Sequence, residues 1–321
     1  MTGSHVYKLA TRGSKLALWQ AHFVQEKLAS NGIRSELMIV KTSGDHQKEK
    51  PLAEIGGKGV FVKELEQALL AKTADFAVHS LKDLPAETRK PFALPCFLAR
   101  HPCEDVIIFS PSWIKKLTGA SQEKWQAEDL QKLGALKIGT GSLRRESLLS
   151  EANPAIKTIA IRGNVDTRLA HLKAGKWDAI ILARASIFRL PLGEEFPHFV
   201  LNSSWFIPCA GQGALVVETL AGSPLEGPLR QLSDPFTEQT VSIERKILAY
   251  LGGDCNLPAG VNVFLKNNEL CCDTVIFNDD GQSLRMYLTQ GQECSAEDFA
   301  DLVWGELKHS GIESFLGRSL H

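Results

Sequence analysis

Hydrophobic and polar positions along this chain repeat at two periods, and the switch between them marks the elements. From Ser14 onward, Leu16, Leu18, Trp19, Phe23, Val24 and Leu28 recur at helical spacing. The pattern predicts a helix with Ser14 at its N-cap and Asn31-Gly32 as its stop. Leu37 to Val40 is an apolar run of strand length. Ser43 to Lys50 is polar and Lys-rich, which predicts a mobile loop ending at Gly56-Gly57-Lys58-Gly59. Helical spacing returns from Val60 to Leu70, and Phe76-Ala77-Val78 predicts a short buried strand.

The same alternation follows further on. Strands are predicted at 136–139, 157–161 and 178–182, with helices at 142–152, stopped before Pro154, and at 165–174. Strand-helix-strand units of this length predict a parallel sheet with right-handed crossovers. The polar stretch 111–133 reads as a surface insertion, with a turn at Gly119. Composition shifts between Pro224 and Pro235. A long helical pattern then covers 238–251 and breaks at Gly252-Gly253. Beyond it, 261–307 reads as short strands with a closing helix. There is no internal repeat.

At 321 residues the chain is long enough for two or three domains, and 44% hydrophobic with 23% charged residues suits globular cores. No apolar run of about 18 residues occurs, so no membrane span is expected. Residues 1–8 lack a secretory pattern. Seven scattered cysteines fit reduced thiols rather than a disulfide framework, which makes a cytoplasmic location the expectation. Cys271-Cys272 is too close for a metal pair, and His101 with Cys103 lacks further spaced ligands, so no metal is expected. The segment 56–63 lacks the spacing of a phosphate loop.

Net charge is −1, so any anion affinity must come from local placement. Residues 139–189 supply it, with six arginines and three lysines against four acids, a net of +5. Arg144 and Arg145 fall in the first turn of a helix, where the macrodipole disfavours cations. Arg162 follows a strand in a Gly-containing turn, and Arg168 starts the next helix. Strand ends and helix N-termini of this kind, joined by guanidinium forks, bind carboxylates or phosphates. A solvated basic face is the bland alternative. Nucleic acid is disfavoured, because aromatic interleaving is missing.

Eight strings now fall in one order. They are Ala10-Thr-Arg-Gly-Ser-Lys-Leu-Ala-Leu-Trp-Gln20, Gly56-Gly-Lys-Gly-Val-Phe-Val-Lys-Glu-Leu-Glu66, His79-Ser-Leu-Lys-Asp-Leu-Pro85 and Gly139-Thr-Gly-Ser-Leu-Arg-Arg145. Ile161-Arg-Gly-Asn-Val-Asp-Thr-Arg168, Asp178-Ala-Ile-Ile-Leu-Ala183, Ala210-Gly-Gln-Gly-Ala214 and Gly253-Asp-Cys-Asn-Leu-Pro258 complete the set. In order and spacing the chain resembles the porphobilinogen deaminases over nearly its whole length, and only loosely after Val261.

The resemblance implies an α/β protein of three domains. Two periplasmic-binding-protein-like α/β domains flank a cleft, and a smaller α+β C-terminal domain follows. The expected boundaries are 1–101 with 206–224, then 105–202, then 228–321. Family enzymes are transferases of tetrapyrrole (haem) biosynthesis. They join four porphobilinogen molecules head to tail into hydroxymethylbilane, releasing ammonia at each step. The primer is a covalent dipyrromethane cofactor, which the resemblance places on Cys255. It also implies that Asp83 is catalytic, and that Lys82, Asp83, Ser142, Arg144 and Arg145 hold the cofactor. Arg12, Ser14, Gln20, Arg162, Arg168 and Arg189 are implied for the substrate and the growing chain. The substrate carries acetate and propionate groups, which is a physical reason for so many guanidiniums. A monomer that binds neither membrane nor nucleic acid is expected. The lid over the cleft is expected within 43–60.

Three positions depart from the family pattern. His101-Pro-Cys-Glu-Asp105 lacks an arginine, which puts hinge ion pairing in question. Gly141 replaces a common serine, and Asp254 a glycine. A carboxylate beside Cys255 is expected to raise its thiol pKa and slow cofactor loading. These departures motivate the competing reading, a degenerate homologue that binds carboxylates or pyrroles without catalysis.

Overall fold

The protein is described by a computed structural model covering residues 5–41, 62–117, 124–190, 192, 195–253 and 257–320. The expected lid within 43–60, the turn at Gly119, Asp254 and Cys255 lie outside the described residues. No described helix is long and apolar enough to cross a membrane.

The chain begins with β1 (Tyr7–Arg12), α1 (Lys15–Ala29) and β2 (Ser35–Val40), followed by α2 (Lys63–Leu70), β3 (Phe76–Ser80) and β4 (Phe92–Leu98). The Ser14 side chain accepts the Ala17 N–H at 3.2 Å, which caps α1 as its sequence predicts. Ala21, Val24 and Leu28 are the buried face of that helix. The chain ends α1 with Gly32 at φ +76°, a conformation that glycine adopts without steric cost.

The next stretch runs β5 (Asp105–Phe109), α3 (Pro111–Ile114), α4 (Ala127–Gln131), β6 (Lys137–Thr140), α5 (Leu143–Ala152), β7 (Lys157–Ala160), α6 (Val165–Lys173), β8 (Ala179–Ala183), α7 (Arg184–Arg189) and β9 (His198–Val200). Then come β10 (Leu215–Leu220), α8 (Glu226–Arg230) and α9 (Pro235–Tyr250). The chain closes with β11 (Ala259–Lys266), β12 (Glu269–Phe277), β13 (Ser283–Gly291), α10 (Ala296–His309) and α11 (Ile312–Leu316).

These elements form two compact units, Met1–His101 with Gly213–Gln239, and Pro102–Gln212 with Thr240–His321. The first unit holds a five-stranded sheet in the order β2-β1-β3-β10-β4. The second holds a five-stranded sheet ordered β7-β6-β8-β5-β9 and a three-stranded sheet β11-β12-β13. The two larger sheets share one pattern: three parallel strands, one antiparallel strand, then a fifth. The sheets are therefore mixed, where the strand-helix-strand spacing predicts a parallel one. The antiparallel members, β10 and β5, come from outside the repeating units that carry that spacing.

Each large sheet is buried on both faces. In the first unit Leu9, Phe76, Val78 and Val217 pack under α1, while Ala10, Ala77, Leu65 and Leu69 pack on the α2 side. In the second, Ile107, Ile138 and Ile181 face one cluster, and Val106, Ile108, Ile180 and Leu182 face the other. The stretch 111–133 is not merely a surface insertion. Trp125 and Leu130 are fully packed into the first of these clusters, with Trp113 against it. The C-terminal strands are eight and nine residues long in continuous antiparallel register, longer than the short strands expected.

Candidate functional site

In the first unit, β1 and β3 are both parallel members of their sheet, so their C-terminal ends open on one edge. β1 ends at Arg12. The Thr11 hydroxyl donates to the Ala17 carbonyl at 3.2 Å and closes the turn into α1. One turn further on, buried Gln20 donates from Nε2 to Ser80 Oγ at 2.9 Å. β3 runs into a single 3₁₀ turn, Leu81–Asp83, which is anchored by the Leu81 N–H on the Ala214 carbonyl. A pocket of about 70 Å³ results, lined by Arg12, Ser14, Gln20, His79, Ser80 and Asp83 among others. Four expected site residues, Arg12, Ser14, Gln20 and Asp83, therefore line one pocket although they come from two separate stretches of sequence. Lys82 is half-buried on the same turn.

His79 and Glu218 were not singled out in the sequence. His79 Nε2 lies 3.0 Å from Glu218 Oε2, and both side chains are buried. The signal was present: one histidine in Phe76–Ser80 and one acid in Leu215–Leu220, each inside an otherwise apolar strand. Above them on α2, Glu66 is raised from its ordinary value. Burial is the main cause and Glu218 the next, with His79 and Arg89 opposing.

In the second unit, Ser142 caps α5 and accepts the Arg145 N–H. Arg144 and Arg145 do not form a solvated basic face, for both are buried. Arg144 donates from Nη2 to Asp105 Oδ2 at 2.7 Å and from Nη1 to the Ile207 carbonyl at 2.6 Å. Arg145 donates to Asp105 Oδ1 from Nη2 at 2.7 Å and from Nε at 3.1 Å, and to the Ile181 carbonyl at 3.2 Å. Gln212, fully buried, adds its Nε2 to Asp105 Oδ1 at 3.0 Å. Burial disfavours the Arg144 cation, but Asp105 and the neighbouring Cys209 outweigh it and hold the group charged.

The macrodipole conflict is thus settled locally, because one buried carboxylate meets both guanidiniums. Asp105 and Gln212 were missed by the sequence reading. An acid opening the apolar run Asp105–Phe109 was the available sign. Glu244 ties the same region together, accepting the Gly211 N–H at 2.7 Å and the Val263 N–H at 2.8 Å.

The segment 101–105 keeps its ion pairing despite the missing arginine. Glu104 accepts from Lys124 at 2.8 Å and from Arg184 at 3.2 Å. Burial pushes its carboxyl up, but the hydrogen bond from Lys124 and the charges of Lys124 and Arg184 bring it below the usual value. At Gly141, an added Cβ would sit 3.0 Å from the Ile161 carbonyl, so this backbone closes tightly where the family has serine.

Arg162 and Arg168 flank the β7–α6 turn, both half-buried, and Arg168 Nε donates to the Gly163 carbonyl at 2.9 Å. Arg189 ends α7 and is 4% exposed, a buried side chain rather than one presented at the surface. Among the described residues, no cluster of three His, Cys, Asp or Glu could hold a metal.

The donor set fits a polycarboxylate. Arg144 and Arg145 carry two positive charges against one on Asp105, and Arg144 Nε has no hydrogen-bond partner among the described residues. A buried surplus cation with an open donor calls for an anion.

The family model described as "Porphobilinogen deaminase, dipyromethane cofactor binding domain" matches residues 7–224. A porphobilinogen deaminase of Nitrobacter winogradskyi is 36% identical over 313 residues, covering 96% of this chain and 94% of that protein. One from Campylobacter hominis is 37% identical over 294 residues, covering 91% and 90%. One from Bordetella parapertussis is 35% identical over 315 residues, covering 97% and 96%. Among solved structures, an ancestral cationic amino acid solute binding protein aligns at a TM-score of 0.42 and 13% identity, over 71% of this chain and 87% of that one.

Proposed function

The chain belongs to the porphobilinogen deaminase family, and on that premise we propose how its own residues carry the activity. The enzyme joins four porphobilinogen molecules head to tail into hydroxymethylbilane, with loss of ammonia at each step. The relatives are named as enzymes, which favours catalysis over a non-enzymatic binding homologue.

One observation carries the assignment of residues. The pocket of the first unit gathers Arg12, Ser14, Gln20, Ser80 and Asp83 at the ends of parallel strands. Asp83 is the group that meets the positive charge as ammonia leaves. A fixed carboxylate stabilises a cation as it develops, and it does so without reorganising at that moment. Arg12 and Ser14 bind and orient substrate carboxylates beside it. Gln20, held by Ser80, keeps the wall of the pocket in place.

In the second unit, Ser142, Arg144 and Arg145 hold cofactor carboxylates, with Asp105 fixing the direction of both guanidiniums. Arg162 and Arg168 serve the growing chain's acid groups. Lys82 pairs with further cofactor carboxylates. When bound, the dipyrromethane supplies the primer end to which new units are joined. Its attachment to Cys255 is part of the proposal, supported by the match of Gly253 to Pro258 with the family's cysteine loop. A monomeric, cytoplasmic enzyme is proposed on the same resemblance.

Two measurements test this reading. Intact mass should exceed the sequence mass by one dipyrromethane, and Cys255→Ser should remove the excess. Purified enzyme given porphobilinogen should yield uroporphyrin fluorescence. A bare mass together with no product would refute it.

A further inference from the structure

Among the described residues, His79 is the one buried titratable side chain on the wall of the Asp83 pocket that the reading above leaves without a task. It sits near the end of β3, three residues before the 3₁₀ turn's Lys82 and four before Asp83. It is 5% exposed and lines the pocket. Its Nε2 is engaged by Glu218 Oε2 at 3.0 Å, and Glu218 is itself buried on the neighbouring antiparallel strand β10. Nδ1 has no hydrogen-bond partner among the described residues.

A carboxylate at Nε2 fixes the proton of a neutral imidazole on that nitrogen. The lone pair then stands on Nδ1, as an acceptor. A buried histidine that serves only packing does not need a buried acid beside it, since desolvating both groups is costly. His79 is thus held through Nε2 by an acid while it lines a pocket that also contains Arg12 and Asp83.

We propose that His79 is a second proton-handling group of this pocket, held as a base by Glu218. The inference rests on the family reading above. Each cycle breaks the bond between the aminomethyl carbon and nitrogen, and ammonia leaves with the electron pair. A carbon–carbon bond forms to the accepting pyrrole, whose carbon gives up one proton. That proton balances the departing ammonia as ammonium. Asp83 faces the transient cation, and His79 takes the proton through Nδ1 and passes it on to ammonia.

The charged groups around His79 are Glu218 from β10, which contacts it, Glu66 from α2, with which it interacts electrostatically, and Arg12 and Asp83, which line the same pocket. A base that already carries a proton cannot accept another, so activity should fall as pH drops.

His79→Gln is the discriminating variant. Its amide nitrogen can replace Nε2 as the donor to Glu218, but nothing replaces the basic Nδ1. With cofactor loading checked by intact mass and folding by thermal melting, kcat should drop about 100-fold or more. The acidic limb of the pH–kcat profile should vanish. Glu218→Gln keeps a hydrogen-bond acceptor and removes the charge, so the acidic limb should move to lower pH by about one unit or more.

A kcat within twofold of wild type in loaded His79→Gln, or an unmoved limb in Glu218→Gln, overturns the proposal. Should His79→Gln melt early, the limb of Glu218→Gln decides alone. Wild type that makes no product from porphobilinogen overturns the family reading and this inference together. Active wild type with an indifferent His79→Gln overturns this inference only.

Discussion

Asp105 shows how much one buried residue organises. It is wholly buried and takes hydrogen bonds from Arg144, Arg145 and Gln212. Removing one partner of a buried charge cluster strands the others, at a cost of about 3–5 kcal/mol. Asp105→Asn should lower unfolding free energy by that order in urea titration and reduce the dipyrromethane-loaded fraction seen by mass. An unchanged unfolding curve would mean that the two arginines need no anion between them.

Asp273 on β12 makes a different prediction. Burial raises its carboxyl to about 6, with Arg285 and Lys266 opposing. A folded value above the ordinary 3.8 means that folding favours the protonated acid. The stability it lends is complete below the ordinary 3.8 and is lost as pH rises through about 6. Asp273→Asn should therefore melt like wild type near pH 4 and higher than wild type at pH 8. The gain should be on the order of 1 kcal/mol once solvent screening is counted. An equal difference at both pH values would contradict this.

At the scale of elements, tight backbone approaches matter more than propensity. A Cβ on Gly260, at the start of β11, would lie 2.6 Å from the Ile207 carbonyl, the same carbonyl that accepts from Arg144. Gly260→Ala should cost about 1–3 kcal/mol in thermal or chemical unfolding and weaken cofactor retention with it. A wild-type melting curve would show that the 207 carbonyl can yield.

Elements whose cues are local were legible in the sequence. The Ser14 cap, the helix from Ser142 to the residues before Pro154, and the strand–helix succession from 136 to 183 all stand where their patterns put them. β5 and β10 were not legible as members of the large sheets, because a short apolar run carries no sign of which distant strand it will pair with. The packing of Trp125 and Leu130 was hidden for a related reason, since two buried side chains in a polar stretch form no period.

For the whole molecule, charge is nearly balanced while one window of it holds +5. The structure shows why bulk charge says little: part of that window is neutralised by acids outside it, Asp105 meeting Arg144 and Arg145 and Glu104 meeting Arg184. The first unit's site was legible as a set of family-matched residues, but the pocket itself was not, since Arg12, Gln20 and Asp83 meet only through the sheet. His79, Glu218, Asp105 and Gln212 escaped notice because their meaning lies in long-range partners.

In the function proposed above, the exposed Asp83 carboxylate, in the 3₁₀ turn that follows β3, manages positive charge during each condensation. The most direct test is the rate of hydroxymethylbilane formation by dipyrromethane-loaded Asp83→Asn, a change that alters charge but hardly shape. The account predicts a fall of about 100-fold or more with an unchanged melting temperature. A rate within about threefold of wild type would contradict it.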